Sequence, residues 1–381
     1  MNKDIKKIEE QNIEDIDSRI AELFATRLTE SRKADEGMLP SEIALKCRKY
    51  ERDFLLKLSE NNSEFEGYER VLFSTLFNLS HAYKLTGYGA KTELADKISY
   101  ALENTPKQFP ESAFVACQGV EGANSQIAAD KLFHNANIMY VRSFEGVFQA
   151  VENGLCKYGI LPIENSSFGS VTSVYDLMKD HSFYIVRCLK LQINHRLMAK
   201  PGTSLSDLRE VYSHEQAIGQ CSIFLKEHPE IKITVVENTA VAAKMVADSD
   251  RGDVAAISSP DCASLYGLNI ISDKIQNTDH NYTRFICISK DMEIFPGASK
   301  ISMMLSLGHT PGSLSDTLVR FSSLGLNLTK LESRPISGRD FEFMFYLDVE
   351  ASVYSDKVLS MLCELVASSN EFAFLGSYTE S

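Results

Sequence analysis

No stretch of the 381-residue chain reaches the roughly 18 uninterrupted apolar residues of a membrane-spanning helix. Its opening, MNKDIKKIEEQNIEDIDSRI, is charged and helical in pattern and lacks the apolar centre of a secretory leader. Basic residues are outnumbered, 39 Lys and Arg against 52 Asp and Glu, and the formal charge of −13 argues against nucleic acid as a partner. A small anionic ligand is not excluded, because it needs only a local positive pocket. The eight cysteines form no C-x-x-C pair and no Cys/His cluster, and several sit inside apolar runs such as Phe285-Ile286-Cys287-Ile288. Buried free thiols in a reducing cytoplasm are the reading, with no metal site. Neither an internal repeat nor a low-complexity tract is present, and the length exceeds one core, so two or three domains are expected.

Glycine and proline are also scarce between residues 8 and 86, where the pattern is all-helical. Ile13, Ile16, Ile20, Leu23, Phe24 and Leu28 make one apolar stripe. Pro40-Ser41 opens a second helix through Leu45, Phe54 and Leu58, and a third carries Tyr68, Leu72, Leu76, Leu79 and Tyr83. Three helices with one apolar face each bury little alone, which points to a dimer sharing their core. A linker-like stretch with Gly87-Tyr88-Gly89 follows. From Ala113 the chain alternates short apolar runs with helical patterns through YTRFICIS, which predicts parallel sheets with helices on both faces. After Phe295-Pro296-Gly297 the order is βαββαβ, a ferredoxin-like layer. The expected domains are 1–100, helical plus linker; 111–291, two-lobed α/β; and 299–381, α+β.

The stretch Leu161–Met178, LPIENSSFGSVTSVYDLM, reads as a buried strand running through small polar residues into a helix. Unpaired N–H groups at such a helix start favour an anion. Asn165-Ser166, Ser213-His214 and Asn238-Thr239 all occupy strand-to-helix turns of this kind, where open α/β sheets bind ligands.

Taken together, LPIENSSFGSVTSVYDLM, SHEQAIGQC at Ser213–Cys221 and DHNYTRF at Asp279–Phe285 resemble the successive signatures of prephenate dehydratase. PGSL at Pro311–Leu314, GLNLTKLESRP at Gly325–Pro335 and FEFMFYLDVE resemble the ACT regulatory domain that follows it. The helical segment is similar in position to the chorismate mutase of bifunctional P-proteins, with Arg27, Glu51 and Ser80 where that family has them. Four positions depart: Glu10 and Met38 stand where a cation is expected, Cys47 where an Asp is expected, and Lys84 where a Gln is expected. The departures imply a structural or dimerising remnant; retained mutase activity is the alternative, with Arg32 or Lys33 as substitute cations.

The resemblance implies decarboxylating dehydration of prephenate to phenylpyruvate without cofactor or metal, since aromatisation drives it. Thr283 is the implied catalytic residue, donating to the departing hydroxyl. Arg284 offers a fork for a carboxylate, with a structural ion pair as the competing account, and Phe285 packs beneath the ring. Asn165, Ser166, Thr172, Ser213, Gln216 and Asn281 are the implied neutral substrate contacts, and His214 is a second acid or a helix cap. In the regulatory layer Gly312, Ser313, Leu314, Asn327, Glu332, Ser333 and Arg334 are the implied phenylalanine site, L-phenylalanine acting as allosteric inhibitor of a homodimer or homotetramer. An arogenate-selective dehydratase is the near alternative. A binding-only protein is the distant one, because its two-lobed plan is also that of solute receptors.

Overall fold

The computed structural model describes residues 2–35, 38, 40–60, 64–85, 92–310, 312–336, 338–339 and 342–381. Gly87-Tyr88-Gly89, Pro311 and Phe341 lie outside the described residues, as does the Glu10 side chain. Two compact units emerge where three domains were expected. One joins Met1–Lys97 to Met303–Ala373, and the other joins Ile98–Ser302 to Phe374–Ser381.

In the first unit α1 (Asn2–Lys33), α2 (Pro40–Glu60) and α3 (Glu66–Leu85) form the helical bundle, and α4 (Glu93–Asn104) leads out of it. In the second unit the elements run β1 (Ser112–Gln118), α5 (Asn124–Leu132), β2 (Asn135–Val141), α6 (Phe144–Glu152), β3 (Tyr158–Asn165), β4 (Gly169–Ser170), α7 (Thr172–Met178) and β5 (Tyr184–Gln192). They continue through β6 (Arg196–Ala199), β7 (Glu210–Ser213), α8 (Glu215–Gln220), α9 (Ser222–Glu227), β8 (Lys232–Val235), α10 (Thr239–Asp248), β9 (Val254–Ser258), α11 (Pro260–Tyr266), β10 (Asn269–Ser272) and β11 (Tyr282–Ser289). Last come β12 (Lys300–Ser306), α12 (Ser313–Ser323), β13 (Asn327–Pro335), β14 (Phe343–Glu350), α13 (Asp356–Ser368) and β15 (Glu371–Glu380).

Two lobes make up the second unit. The sheet of the first runs β2-β1-β3-β11-β5, and that of the second runs β10-β6-β9-β7-β8. They are mixed, not parallel as the alternation of runs predicted. β11 is antiparallel to both β3 and β5, and β6 is antiparallel to β9 and β10. The reason is the path of the chain, which leaves the first lobe after β5 and returns to it as β11. A returning strand must run opposite to the one that left. Each lobe has its own apolar core: Val115, Phe133, Ile160 and Phe285 are among the buried residues of the first, and Met198, Ala243, Val246 and Ala256 of the second.

The back of the first sheet is fastened by a buried charge cluster. The Glu380 carboxylate accepts from Arg284 Nε at 2.6 Å and meets Lys300 Nζ at 2.6 Å and Lys190 Nζ at 2.8 Å. Arg284 also donates to the Tyr378 hydroxyl at 3.2 Å. Burial alone would raise the Glu380 carboxyl, but the Lys190 and Lys300 hydrogen bonds and the Arg284 charge hold it at about 2, below its ordinary 4.5. A folded value below the unfolded one gives stability that is full above pH 4.5 and fades as pH falls towards 2. Close by, Gly376 has φ 147°, and a Cβ there would stand 2.2 Å from the Ile185 carbonyl oxygen of β5. Only glycine admits that approach.

In the first unit α3 packs against α12 and α13. Asn78 Nδ2 donates to Asp316 Oδ1 at 2.8 Å, and Thr92 Oγ1 lies 3.0 Å from Cys363 Sγ. The strand order β13-β14-β12-β15 with α12 and α13 reproduces the βαββαβ plan read from the sequence.

Removing the Glu380 charge leaves three cations half-compensated, a loss of about 3 kcal/mol. Glu380→Gln is therefore expected to melt well below the wild type at pH 7 and by a clearly smaller gap at pH 3, part-way down the fade towards 2; an equal gap at both values would show that the charge contributes nothing. Gly376→Ala is expected to lower the melting midpoint by about 5 °C or more, read by circular dichroism.

Candidate active site

A cleft of about 390 Å³ is lined by residues of both lobes in the second unit. Its floor is the pair of chain crossings. The outgoing crossing carries Ile193 and His195, and the returning one carries Gln276 and Asn281. Ile193 N donates to the Asn281 carbonyl at 2.8 Å, His195 N to Gln276 Oε1 at 3.1 Å, and Gln276 Nε2 to the Ile193 carbonyl at 3.1 Å. The lobes are thus joined by two segments tied to each other.

Across this floor runs a chain of side-chain hydrogen bonds whose direction can be deduced. Asn165 Oδ1 accepts from the backbone N–H groups of Ser167 at 2.9 Å and Phe168 at 3.2 Å. Backbone N–H groups only donate, so the oxygen of this amide must face them and its nitrogen must face the cleft. Asn165 Nδ2 then donates to Thr283 Oγ1 and to Asn281 Oδ1, each at 2.9 Å. Gln220 Nε2 donates to Asn281 Oδ1 at 3.2 Å and to Asn165 Oδ1 at 3.4 Å. Gln220 Oε1 faces His195 Nε2 at 2.7 Å. Because Thr283 Oγ1 already accepts, its own hydrogen is left to donate, and no acceptor among the described residues takes it.

Thr283, Asn165, His214, Gln216 and Phe285 line the cleft. Phe285 also belongs to the first lobe's core. His214 caps α8: its Nδ1 accepts from Gln216 N at 3.3 Å, and burial lowers its pKa, so it is placed as a neutral cap. Other implied contacts lie elsewhere. Arg284 is the clearest correction: strand alternation puts Thr283 and Phe285 on the cleft face and Arg284 on the opposite one, bound to Glu380. Ser213 is fully buried with its hydroxyl donating to the Ile257 carbonyl at 2.7 Å, Ser166 Oγ donates to the His280 carbonyl at 3.1 Å, and Thr172 begins α7 at the surface. Asn281 lies beneath the lining, reached through Asn165 and Gln220.

The anion site expected where Leu161–Met178 turns into a helix takes a different form. Asn165 and Glu164 pair with Gly169 and Ser170 in a tight hairpin, so the polar turn closes β3 on β4 before α7 starts. The helix starts at the cleft include those of α5, whose N-cap Ala123 offers no side-chain acceptor, of α7 at Val171 and Ser173, of α8 at His214, and of α10, capped by Asn238 Oδ1. Among the lining residues that the sequence reading gave no role are Gln220, His195 and Glu237. Gln220 had a signal, four residues after Gln216 on one helical face. His195, alone in INHRLM, had none.

In the first unit a second cavity of about 350 Å³ is lined by Ser313 and Leu314 with His309, Thr310, Glu342 and Phe343. Gly312 starts α12 at φ 92° with open space around its Cβ direction, so backbone conformation, not close approach, requires glycine there. Asn327 Nδ2 donates to Glu350 Oε2 at 2.8 Å, and Glu332 sits 3.7 Å from Lys330; with Ser333 and Arg334 they lie on β13, away from this cavity's lining. A third cavity, about 570 Å³, lies in the helical bundle and does gather Arg27, Glu51 and Ser80. Arg27 donates to Ser80 Oγ and stands 5.0 Å from the Phe77 ring centre. Lys84 reaches Cys47 Sγ at 3.4 Å and, with Lys46, grips buried Asp35, each at 2.6 Å.

These features find relatives among known proteins. The family model for prephenate dehydratase matches residues 115–293, a span holding both lobes and the whole Asn165–Thr283 chain. A bifunctional chorismate mutase/prephenate dehydratase of Enterobacter agglomerans is 35% identical over 324 residues, 81% of this chain and 84% of its own length. Arogenate dehydratase/prephenate dehydratase 2 of Arabidopsis thaliana is 38% identical over 276 residues, 69% of this chain and 72% of its own. Among solved structures, the prephenate dehydratase of Arthrobacter aurescens in complex with L-Phe is similar at TM-score 0.64 and 29% identity, covering 70% of this chain and 89% of that one. With motifs, cleft and relatives in agreement, the chain belongs to the prephenate dehydratase family.

Proposed function

We propose that this chain converts prephenate to phenylpyruvate, water and carbon dioxide. The observation that carries the reading is the Thr283 hydroxyl, whose oxygen is occupied by Asn165 and whose hydrogen is free at the cleft. In the reaction the ring hydroxyl leaves as water while the ring carboxylate departs as carbon dioxide, and the electrons of the breaking C–C bond complete the aromatic ring. Donation from Thr283 to the leaving oxygen lowers the barrier, a contribution of about 10²–10⁴-fold for general acid catalysis.

No lysine or arginine is among the lining residues, so the two substrate carboxylates are held by neutral donors. The starts of α5 and α10, with Asn124, Ser125 and Thr239, suit that role. Arogenate differs from prephenate by an ammonium group on the side chain, and Glu237 is an acid in the lining that such a group could meet, which keeps the arogenate reading in play. In the helical bundle Asp35 offsets the Lys46 and Lys84 charges that a dianion would need, which supports a structural remnant over a working mutase. The apolar stripe Ile13, Ile16, Ile20 and Leu23, each more than half exposed, supports a dimer that covers it. Eight unpaired cysteines, seven of them buried, are in keeping with a cytoplasmic enzyme. The cavity at Ser313 and Leu314, with its aromatic wall, supports phenylalanine as the regulatory ligand.

Thr283→Ala is expected to lose at least about 10²-fold in kcat on prephenate while melting like the wild type, and Thr283→Ser to recover most of it. Near-wild-type turnover by the alanine variant would remove Thr283 from the mechanism. Chorismate is expected to give no phenylpyruvate; its conversion would show that the bundle still makes a dianion pocket. Phenylalanine is expected to depress the initial rate on prephenate and to lose that effect in Gly312→Val, where φ 92° strains any branched residue. An unchanged rate at saturating phenylalanine would remove the regulatory role.

A further inference from the structure

The hydrogen-bond chain on the cleft floor does not end at Gln220. The backbone of Ser167 and Phe168 fixes Asn165, Asn165 fixes Asn281, and Asn281 fixes Gln220, because reversing the Gln220 amide would set its oxygen against two other oxygens. Gln220 Oε1 is thereby an obligatory acceptor, and the atom opposite it, His195 Nε2, must carry hydrogen. His195 is only 4% exposed and its Nδ1 has no partner, so the ring is held by that one bond and by packing. Burial lowers its pKa to about 4, which keeps it neutral, with a lone pair on Nδ1.

We propose that His195 is a positioning residue for the dehydratase reaction: as the Nε2–H tautomer it locks the Gln220 amide, which braces Asn165 and so keeps the Thr283 hydrogen turned to the substrate. It acts through Gln220 and Asn165, three hydrogen bonds removed from the Thr283 hydroxyl. Without the imidazole donor Gln220 Oε1 is a buried acceptor with nothing to accept. The amide then turns to find a partner, and Asn165 loses its brace. Such a fault lowers kcat and leaves KM nearly unchanged, because the carboxylate contacts at α5 and α10 are untouched.

Methionine and glutamine have similar length and shape, and of the two only glutamine carries an N–H that reaches where Nε2 stands. His195→Met is expected to lose about tenfold or more in kcat at near-constant KM, and His195→Gln to recover to within about threefold of wild type. In a Gln220→Met background, His195→Met is expected to add little further loss. Wild-type kcat in His195→Met, equal loss in His195→Gln, or full additivity with Gln220→Met would each overturn the proposal. Its kinetic arm rests on the dehydratase reading, so a second measurement stands apart from activity. Nitrogen-15 spectra of the imidazole in the full chain at pH 7 are expected to show protonated Nε2 and bare Nδ1, whatever the enzyme turns over. An Nδ1–H tautomer would overturn the inference, whereas the expected tautomer in a protein inert towards prephenate and arogenate would overturn the function and the kinetic role together.

Discussion

Two backbone N–H groups, those of Ser167 and Phe168, set the polarity of the whole cleft floor. An amide side chain can ordinarily lie either way round at little cost, but the tight β3–β4 hairpin removes that choice for Asn165. Every donor and acceptor downstream then has one consistent role. A hydroxyl is a weak acid, and the chain does not change that. What it does is occupy the Thr283 oxygen as an acceptor and leave the hydroxyl hydrogen available to a group in the cleft.

The same strand divides its labour by alternation. Thr283 and Phe285 face the cleft, and Arg284 between them faces the buried charge cluster around Glu380. The guanidinium of the residue next to Thr283 therefore serves the sheet, and the cleft is left without a cation in its lining. Neutral donors in a narrow cleft bind a carboxylate by direction and number, not by net charge. That suits a reaction that must release a carboxylate as uncharged carbon dioxide, because a tight ion pair would hold the group in its charged form.

Most of the fold was legible because it is written in periodicity. The helical bundle, the alternating α/β region and the βαββαβ layer are all present with the expected order. Sheet direction was not legible: a short apolar run such as YTRFICIS has the same pattern in either sense, and only the return of the chain to the first lobe makes β11 antiparallel. Motif order identified the family and brought Thr283, Asn165 and Gln216 to one cleft. It left two accounts of Arg284 open, because a motif records which residues recur and not which face each occupies. His195 was unreadable for a different reason, since its role depends on the Gln220 amide, whose orientation is set by groups far from it in sequence. The division into units was hidden too, because α3 meets α12 and α13 through contacts between distant segments.

That last packing bears on how such a chain changes over time. The bundle supplies one wall for α12, the helix that starts at Gly312 and Ser313 beside a ligand-sized cavity. Residues on that wall are held in place by the neighbour they support, independently of what the bundle's own cavity does. The face of the helical segment that meets α12 is thus separate from the residues that line its own cavity, so a change inside that cavity leaves the support of α12 in place.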